Sequence, residues 1–148
     1  MIKKTTKVLT SKLEKKIIDF SLKYTSITNA KIISKIIVRA EKMEILTHGL
    51  HYFLHSVVPH LKNGMTNHVV VKKKNFIYSK GSNGGGLGLV NIYNCLKIAS
   101  KIAKKSGICV YSAKDPGKVG AFRTYCPEII ENDQLILMIK KTHPTQGL

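Results

Sequence analysis

The residues best able to do chemistry in this 148-residue chain lie in MEILTHGLHYF, residues 43–53. His48 stands there beside a glycine, and His51 and His55 follow it. An imidazole titrates near neutral pH, so His48 can act as a general acid or base. An exposed histidine close to a helix start has the same sequence pattern, and the spacing alone leaves both interpretations open.

The same histidines raise the question of a metal site. His48, His51 and His55 stand at positions i, i+3 and i+7, which share one face of a continuous helix. Three imidazoles can hold zinc in a catalytic site. No carboxylate lies among them, and His60 and His68 show that histidine is frequent in this region. We therefore predict no metal site.

A glycine-rich stretch, SNGGGLGLV at residues 82–90, precedes a long helical pattern. A helix N-terminus after such a loop can hold a phosphate. The stretch lacks GxxxxGK[ST] and matches GxGxxG only loosely. The sequence favours a tight strand-to-helix turn, in which glycines adopt positive φ angles.

The composition restricts the class of protein. No run of residues approaches the roughly 18 apolar positions of a membrane span. The basic N-terminus leads into a charged helix and not into an apolar signal core. Three cysteines without CxxC spacing predict neither a disulfide framework nor a zinc knuckle, and favour the cytoplasm. The net charge of +17 permits nucleic-acid binding, but only two of the 25 basic residues are arginines, so we do not favour it.

The hydrophobic periodicity predicts helices followed by a β-α-β-α-β order. The first predicted helix spans residues 11–24 and begins with a Ser11–Glu14 capping box. The second begins at about Asn29. The third has Thr47 as its N-cap, is kinked or shortened by Pro59, and ends near Asn63. The predicted later elements are strands at 69–71 and 76–78, a helix closed by Gly107, a strand at 108–111, a loop at 114–120, a helix at 121–131 and a strand at 135–139. We expect one domain, 1–148, with a helical part at 1–64 and an α/β part at 65–148.

Four stretches in register resemble the malate/L-lactate dehydrogenase family, whose members also include ureidoglycolate, sulfolactate and diketogulonate dehydrogenases. They are ILTHGLHYF…HLKNG, SNGGGLGLVNIYNCLKIASKIAKKSGI, SAKDPGKVGAF and LILMIKKTHP. The resemblance covers about residues 27–148. It implies an α/β fold made of the N-terminal helices and the first part of that family's sheet. It also implies NAD(P)-dependent hydride transfer on a small 2-hydroxy or 2-oxo acid.

The resemblance also assigns roles to residues. The resemblance implies that His48 is the proton donor to the substrate oxygen. The chemistry agrees with this role, since ketone reduction places negative charge on an oxygen that an imidazolium can neutralise. Thr47 replaces the serine before it. Tyr52 or a neighbour stands at the position of the family's substrate-binding arginine, and none of these residues is an arginine. Asp115 replaces the histidine of the N-H-F-G loop, as a second catalytic group. Thr142 matches a position that contacts the NAD or NADP cofactor.

Members of that family are much longer chains, so the resemblance predicts a truncated, divergent N-terminal portion. A sheet with so few strands leaves an open edge, and we expect an oligomer, most simply a homodimer, to cover it. Two other functions stay open. One is a non-catalytic remnant that pairs with other chains, and the other is a basic nucleic-acid-binding module.

Overall fold

The computed structural model describes residues 9–64, 68–81, 87–130 and 133–139. The helices are α1 (Thr10–Ser21), α2 (Ile27–Lys42), α3 (Leu50–Tyr52), α4 (Val58–Lys62), α5 (Gly88–Ser106) and α6 (Pro127–Ile130), with a π-helix at Phe53–Val57 and a 3-10 helix at Phe122–Tyr125. The strands are β1 (His68–Lys73), β2 (Phe76–Gly81) and β3 (Val110–Lys114). The α/β class predicted from the sequence is confirmed.

The first two helices, α1 and α2, are both amphipathic, but they begin with different N-terminal caps. The predicted Ser11–Glu14 capping box is wrong, since α1 starts at Thr10 behind Leu9 and has no side-chain cap. In contrast, the Ser26 side chain accepts a hydrogen bond from the Asn29 backbone N–H and caps α2. Helix α2 buries a broad apolar face, and this face forms the centre of the core.

The third helical region runs from α3 through the π-helix into α4. Its predicted N-cap, Thr47, is wrong, because the helix begins behind Gly49. Pro59 lies in the first turn of α4, and the π-helix precedes it. A proline ring clashes with the carbonyl four residues earlier in a regular helix, and the wider π turn relieves that clash. The end near Asn63 is confirmed, and Gly64 follows it at φ 85°.

The three strands form one mixed sheet in the order β1-β2-β3. Strands β1 and β2 pair antiparallel as a hairpin, whereas β2 and β3 pair parallel and are joined by α5. The strand predicted at 108–111 starts later, at Val110. The Ser106 hydroxyl at the end of α5 lies within hydrogen-bond distance of two carbonyl oxygens, that of Ile102 at 2.9 Å and that of Ile108 at 3.1 Å, and can donate to either.

Helix α5 is the layer between the sheet and the other helices. One part of its surface packs on α2 within the main core, and another packs on Ile77 and Tyr111 of the sheet. Gly107 ends α5 at φ 81°, as the sequence predicts. No described helix is both long and apolar enough to cross a membrane.

The last described segments depart most from expectation. The helix predicted at 121–131 is a 3-10 turn followed by the short α6. The strand predicted at 135–139 is not formed. Its side chains alternate between half-buried and exposed as in a strand, with Leu135 at 97% and Leu137 at 83% exposure. No strand neighbours it in the described sheet, and a strand exists only with a backbone partner.

Candidate active site around His48

The turn that carries His48 is held by a carboxylate from the preceding helix. Glu41, near the end of α2, accepts a short hydrogen bond from the Leu50 N–H through its Oε1 atom. This carboxylate therefore caps the helix that the sequence had assigned to Thr47. Gly49 lies against it, and a Cβ atom there would stand 2.0 Å from Glu41 Oε1. Glycine at this position thus lets the backbone reach the cap.

His48 itself is half-buried at the edge of this turn. Its backbone N–H donates to the Ile45 carbonyl at 2.8 Å, which fixes the main chain. The Thr47 hydroxyl lies 2.9 Å from His48 Nδ1. The ring lies beside Tyr52, with 5.5 Å between ring centroids and 31° between planes. The imidazole is therefore oriented by two neighbours and keeps one edge toward solvent.

Tyr52 connects this turn to the loop at residues 115–120. Its hydroxyl oxygen accepts a hydrogen bond from the Gly120 N–H at 3.1 Å. Burial raises the pKa of Tyr52 to about 12, against the opposing effect of that hydrogen bond. At neutral pH the phenol is therefore uncharged. It can position His48 and the loop, but it cannot act as a base.

The loop at 115–120 is packed tightly between the sheet and α5. A Cβ atom at Gly81 would lie 2.1 Å from the Asp115 carbonyl oxygen, and one at Gly88 would lie 1.8 Å from the Pro116 carbonyl oxygen. The Leu89 N–H, in the first turn of α5, donates to the Lys118 carbonyl at 2.9 Å. The loop backbone therefore closes the described start of α5.

The predicted site residues are only partly brought together. Thr47, His48 and Tyr52 form one contact group. Asp115 is exposed, with φ 47°, at the opposite end of the loop from Gly120, and among the described residues no hydrogen bond joins it to His48. Its predicted catalytic role stays a prediction, and Thr142 lies outside the described residues.

Two structural features of this group escaped the sequence analysis. Glu41 stands well before the turn that it caps, and no capping motif joins positions that far apart. The Gly120 N–H is a backbone donor, and a backbone group cannot be recognised from residue type, although the last glycine of KDPGKVG marks its place in the loop.

The other histidines of the helix lie apart from this group. His51 and His55 stack on each other at 4.5 Å between ring centroids, whereas His48 lies on Tyr52. Among the described residues, no group of three or more His, Cys, Asp or Glu side chains is arranged to hold a metal ion. The geometry of these histidines gives no support to a metal site.

Comparison with known proteins assigns the chain. The sequence pattern of the malate/L-lactate dehydrogenase family matches residues 12–146. The chain belongs to this family. Sulfolactate dehydrogenase from Methanocaldococcus jannaschii is similar in structure, with 25% identity and a TM-score of 0.72 over 84% of this chain and 37% of that one. Malate dehydrogenase from Entamoeba histolytica shares the fold at 22% identity and a TM-score of 0.70, over 82% of this chain and 35% of that one. None of the curated proteins matches significantly.

This chain thus spans little more than a third of the length of those dehydrogenases. Within the described residues, the fit to a nicotinamide dinucleotide is poor. The first turn of α5 offers its Leu89 N–H to the Lys118 carbonyl, so this donor is not free for a pyrophosphate. The neutral Tyr52 supplies no guanidinium clamp for a carboxylate. The described residues of this dehydrogenase-family chain place Thr47, His48 and Tyr52 together, and by themselves they offer no site that fits the cofactor.

Proposed function

We propose that this chain carries the proton-transfer part of a dehydrogenase that acts on a small 2-hydroxy or 2-oxo acid with NAD or NADP. His48 is the acid/base, Thr47 and Tyr52 hold its ring, and Asp115 is a second polar group at the substrate. The observation that supports this most directly is the position of His48, half-buried on a turn fixed by Glu41 and Tyr52.

In this proposal His48 gives its proton to the oxygen of a 2-oxo acid when that oxygen gains negative charge, and takes it back in the reverse direction. The contacts from Thr47 and Tyr52 restrict the rotation of the His48 ring, so less rotational entropy is lost when substrate binds. The cofactor supplies the hydride. Residues beyond those described, among which Thr142 is the predicted contact, complete its site.

The test begins with cofactor binding. The purified chain is titrated with NADH and NADPH at near-physiological salt while the cofactor fluorescence is followed. Turnover is then measured with oxaloacetate and pyruvate as 2-oxo acids. Saturable binding with turnover would support the proposed activity for residues 1–148. A chain that is folded by circular dichroism and neither binds nor turns over would refute the proposed activity for residues 1–148.

The role of His48 has a matched control on the same helix. His48→Gln should lower the rate about 10²- to 10⁴-fold, the usual range for loss of a general acid or base. His51→Gln removes a neighbouring imidazole that contacts His55 and not Tyr52, and it should leave the rate almost unchanged. Equal rates for the two variants would rule out His48 as the acid/base.

A further inference from the structure

The α/β part of the molecule contains a large cavity that the proposed function does not use. A slot of about 710 Å³ opens between the outer edge of β3, one face of α5 and the extended segment 134–139. Its walls are mainly apolar. We call it the β3 slot. Its lining includes Tyr111, Ala113, Leu96, Ile136 and Met138.

Two walls of the β3 slot are extended segments, namely β3 on one side and residues 134–139 on the other. β3 is the last strand in the order β1-β2-β3. The Val110 N–H donates to Asn75 on the β2 side, so by alternation the N–H groups of Tyr111 and Ala113 point away from β2, into the slot. The opposite wall, 134–139, has a strand's alternation of burial but no place in the sheet.

That opposite wall is attached to the protein. Gln134 donates to the Ser100 carbonyl at 2.9 Å and accepts from the Ser100 hydroxyl at 2.5 Å. Met138 packs against the main core. The exposed positions Leu135, Leu137 and Ile139, at 83–97% exposure, therefore stand on a fixed segment. Apolar exposure of this kind on an anchored strand-like segment marks an interaction surface.

The charge around the slot indicates the kind of partner. Among the described residues, Lys101, Lys104, Lys114 and Lys118 are exposed at or next to lining positions, and the exposed carboxylates at such positions are Asp115 and Asp133. The half-buried Glu128, next to Ile129, is paired with Lys35 and Arg39. The whole chain carries +17. A second copy would bring the same charge.

We propose that the β3 slot receives an extended segment of a separate, acidic polypeptide, which pairs with β3 as an added strand. Strand addition to an open edge derives its affinity from main-chain hydrogen bonds, and alternate side chains give specificity. The added strand satisfies the outward N–H groups of Tyr111 and Ala113, and its apolar side chains lie on α5. The acidic side chains meet the lysines at the rim.

The probe is a synthetic peptide with blocked ends, EVTIEVTIE, and the control is KVTIKVTIK, which keeps the apolar pattern and reverses the charge. Binding to the purified chain is measured by calorimetry at low and at physiological salt. The acidic peptide should bind at least about tenfold more tightly than the basic one, and the difference should shrink as salt rises. Equal affinities, or no binding of the acidic peptide to folded protein, would overturn the proposal.

Two variants locate the contact. Ala113→Pro removes one outward N–H and leaves the β2 pairing of β3 intact, and Ala113→Val is its control with the N–H retained. Leu137→Glu changes an exposed side chain on the opposite wall. Ala113→Pro and Leu137→Glu should each weaken the acidic peptide about tenfold, and Ala113→Val should not. A stable homodimer in sedimentation that dissociates with Ala113→Pro would instead show that a second copy fills the slot, and would refute the acidic partner.

Discussion

The carboxylate of Glu128 on α6 provides the sharpest stability prediction. It accepts hydrogen bonds from Tyr93 at 3.0 Å and from Arg39, and its Oε1 lies 2.6 Å from Lys35 Nζ. Its side chain is 14% exposed. Burial by itself would raise the pKa of Glu128, but the hydrogen bonds from Arg39 and Lys35 outweigh burial and lower the pKa from 4.5 to about 2.

The sign of the pH effect follows from that lowered pKa. The folded protein holds the ionised carboxylate more strongly than the unfolded chain does, so the contribution is complete above pH 4.5 and is lost as the pH falls toward 2. A pKa difference of this size corresponds to about 3 kcal/mol at neutral pH. By about pH 3 less than half of it remains.

The test is Glu128→Gln, with urea unfolding followed by circular dichroism at pH 7, pH 4 and pH 3. The free energy of unfolding should fall by about 2–3 kcal/mol at pH 7, because Arg39 keeps its charge at 18% exposure without an anionic partner. The deficit relative to the natural chain should narrow to about 1 kcal/mol at pH 3. Asp19→Asn, at an exposed position on α1, serves as the control and should change stability by less than about 0.5 kcal/mol. A deficit that is the same at pH 7 and pH 3 would refute the charge-based explanation.

The remaining predictions concern the packing around the loop at 115–120. Tyr52→Phe removes the acceptor for the Gly120 N–H, so it should lower the free energy of unfolding by about 1 kcal/mol and speed amide hydrogen exchange at Gly120, as measured by NMR. Gly88→Ala should cost at least about 2 kcal/mol in urea unfolding, because its Cβ would meet the backbone oxygen of Pro116 at 1.8 Å. Gly49→Ala should cost less, since the nearest atom belongs to the end of the Glu41 side chain, which can rotate away with the loss of its hydrogen bond to the Leu50 N–H; a larger loss there than at Gly88 would contradict this account.

The sequence predicted the elements whose signals are local. The β1–β2 hairpin and the glycine that ends α5 follow from alternation and from backbone conformation over a few residues. The start of the helix after residue 49 could not be predicted in this way. Thr47 is a good capping residue by type, but the Glu41 carboxylate reaches the Leu50 N–H from another helix. A tertiary contact therefore determines that the Glu41 carboxylate, and not the Thr47 hydroxyl, caps this helix, and sequence spacing contains no information about that contact.

The strand predicted at 135–139 shows a different limit. All five residues are apolar, and this continuous apolar run was the signal for a strand, but no strand is formed there although the side chains alternate in burial. What the pattern does not contain is a neighbour, and the described sheet ends at β3. Backbone pairing is a property of two segments, and one segment cannot predict it.

The candidate site and the β3 slot share one structural element. The loop that begins at Asp115 lines the slot through Pro116 and Val119, and it ends at Gly120, whose N–H binds Tyr52 beside His48. The same loop closes the described start of α5 through Lys118. A polypeptide seated in the slot therefore contacts the loop on one side while the group around His48 contacts it on the other. Under the two proposals above, the added strand at β3 and the acid/base group at His48 would contact the same loop, so a shift of the loop backbone would change both contacts.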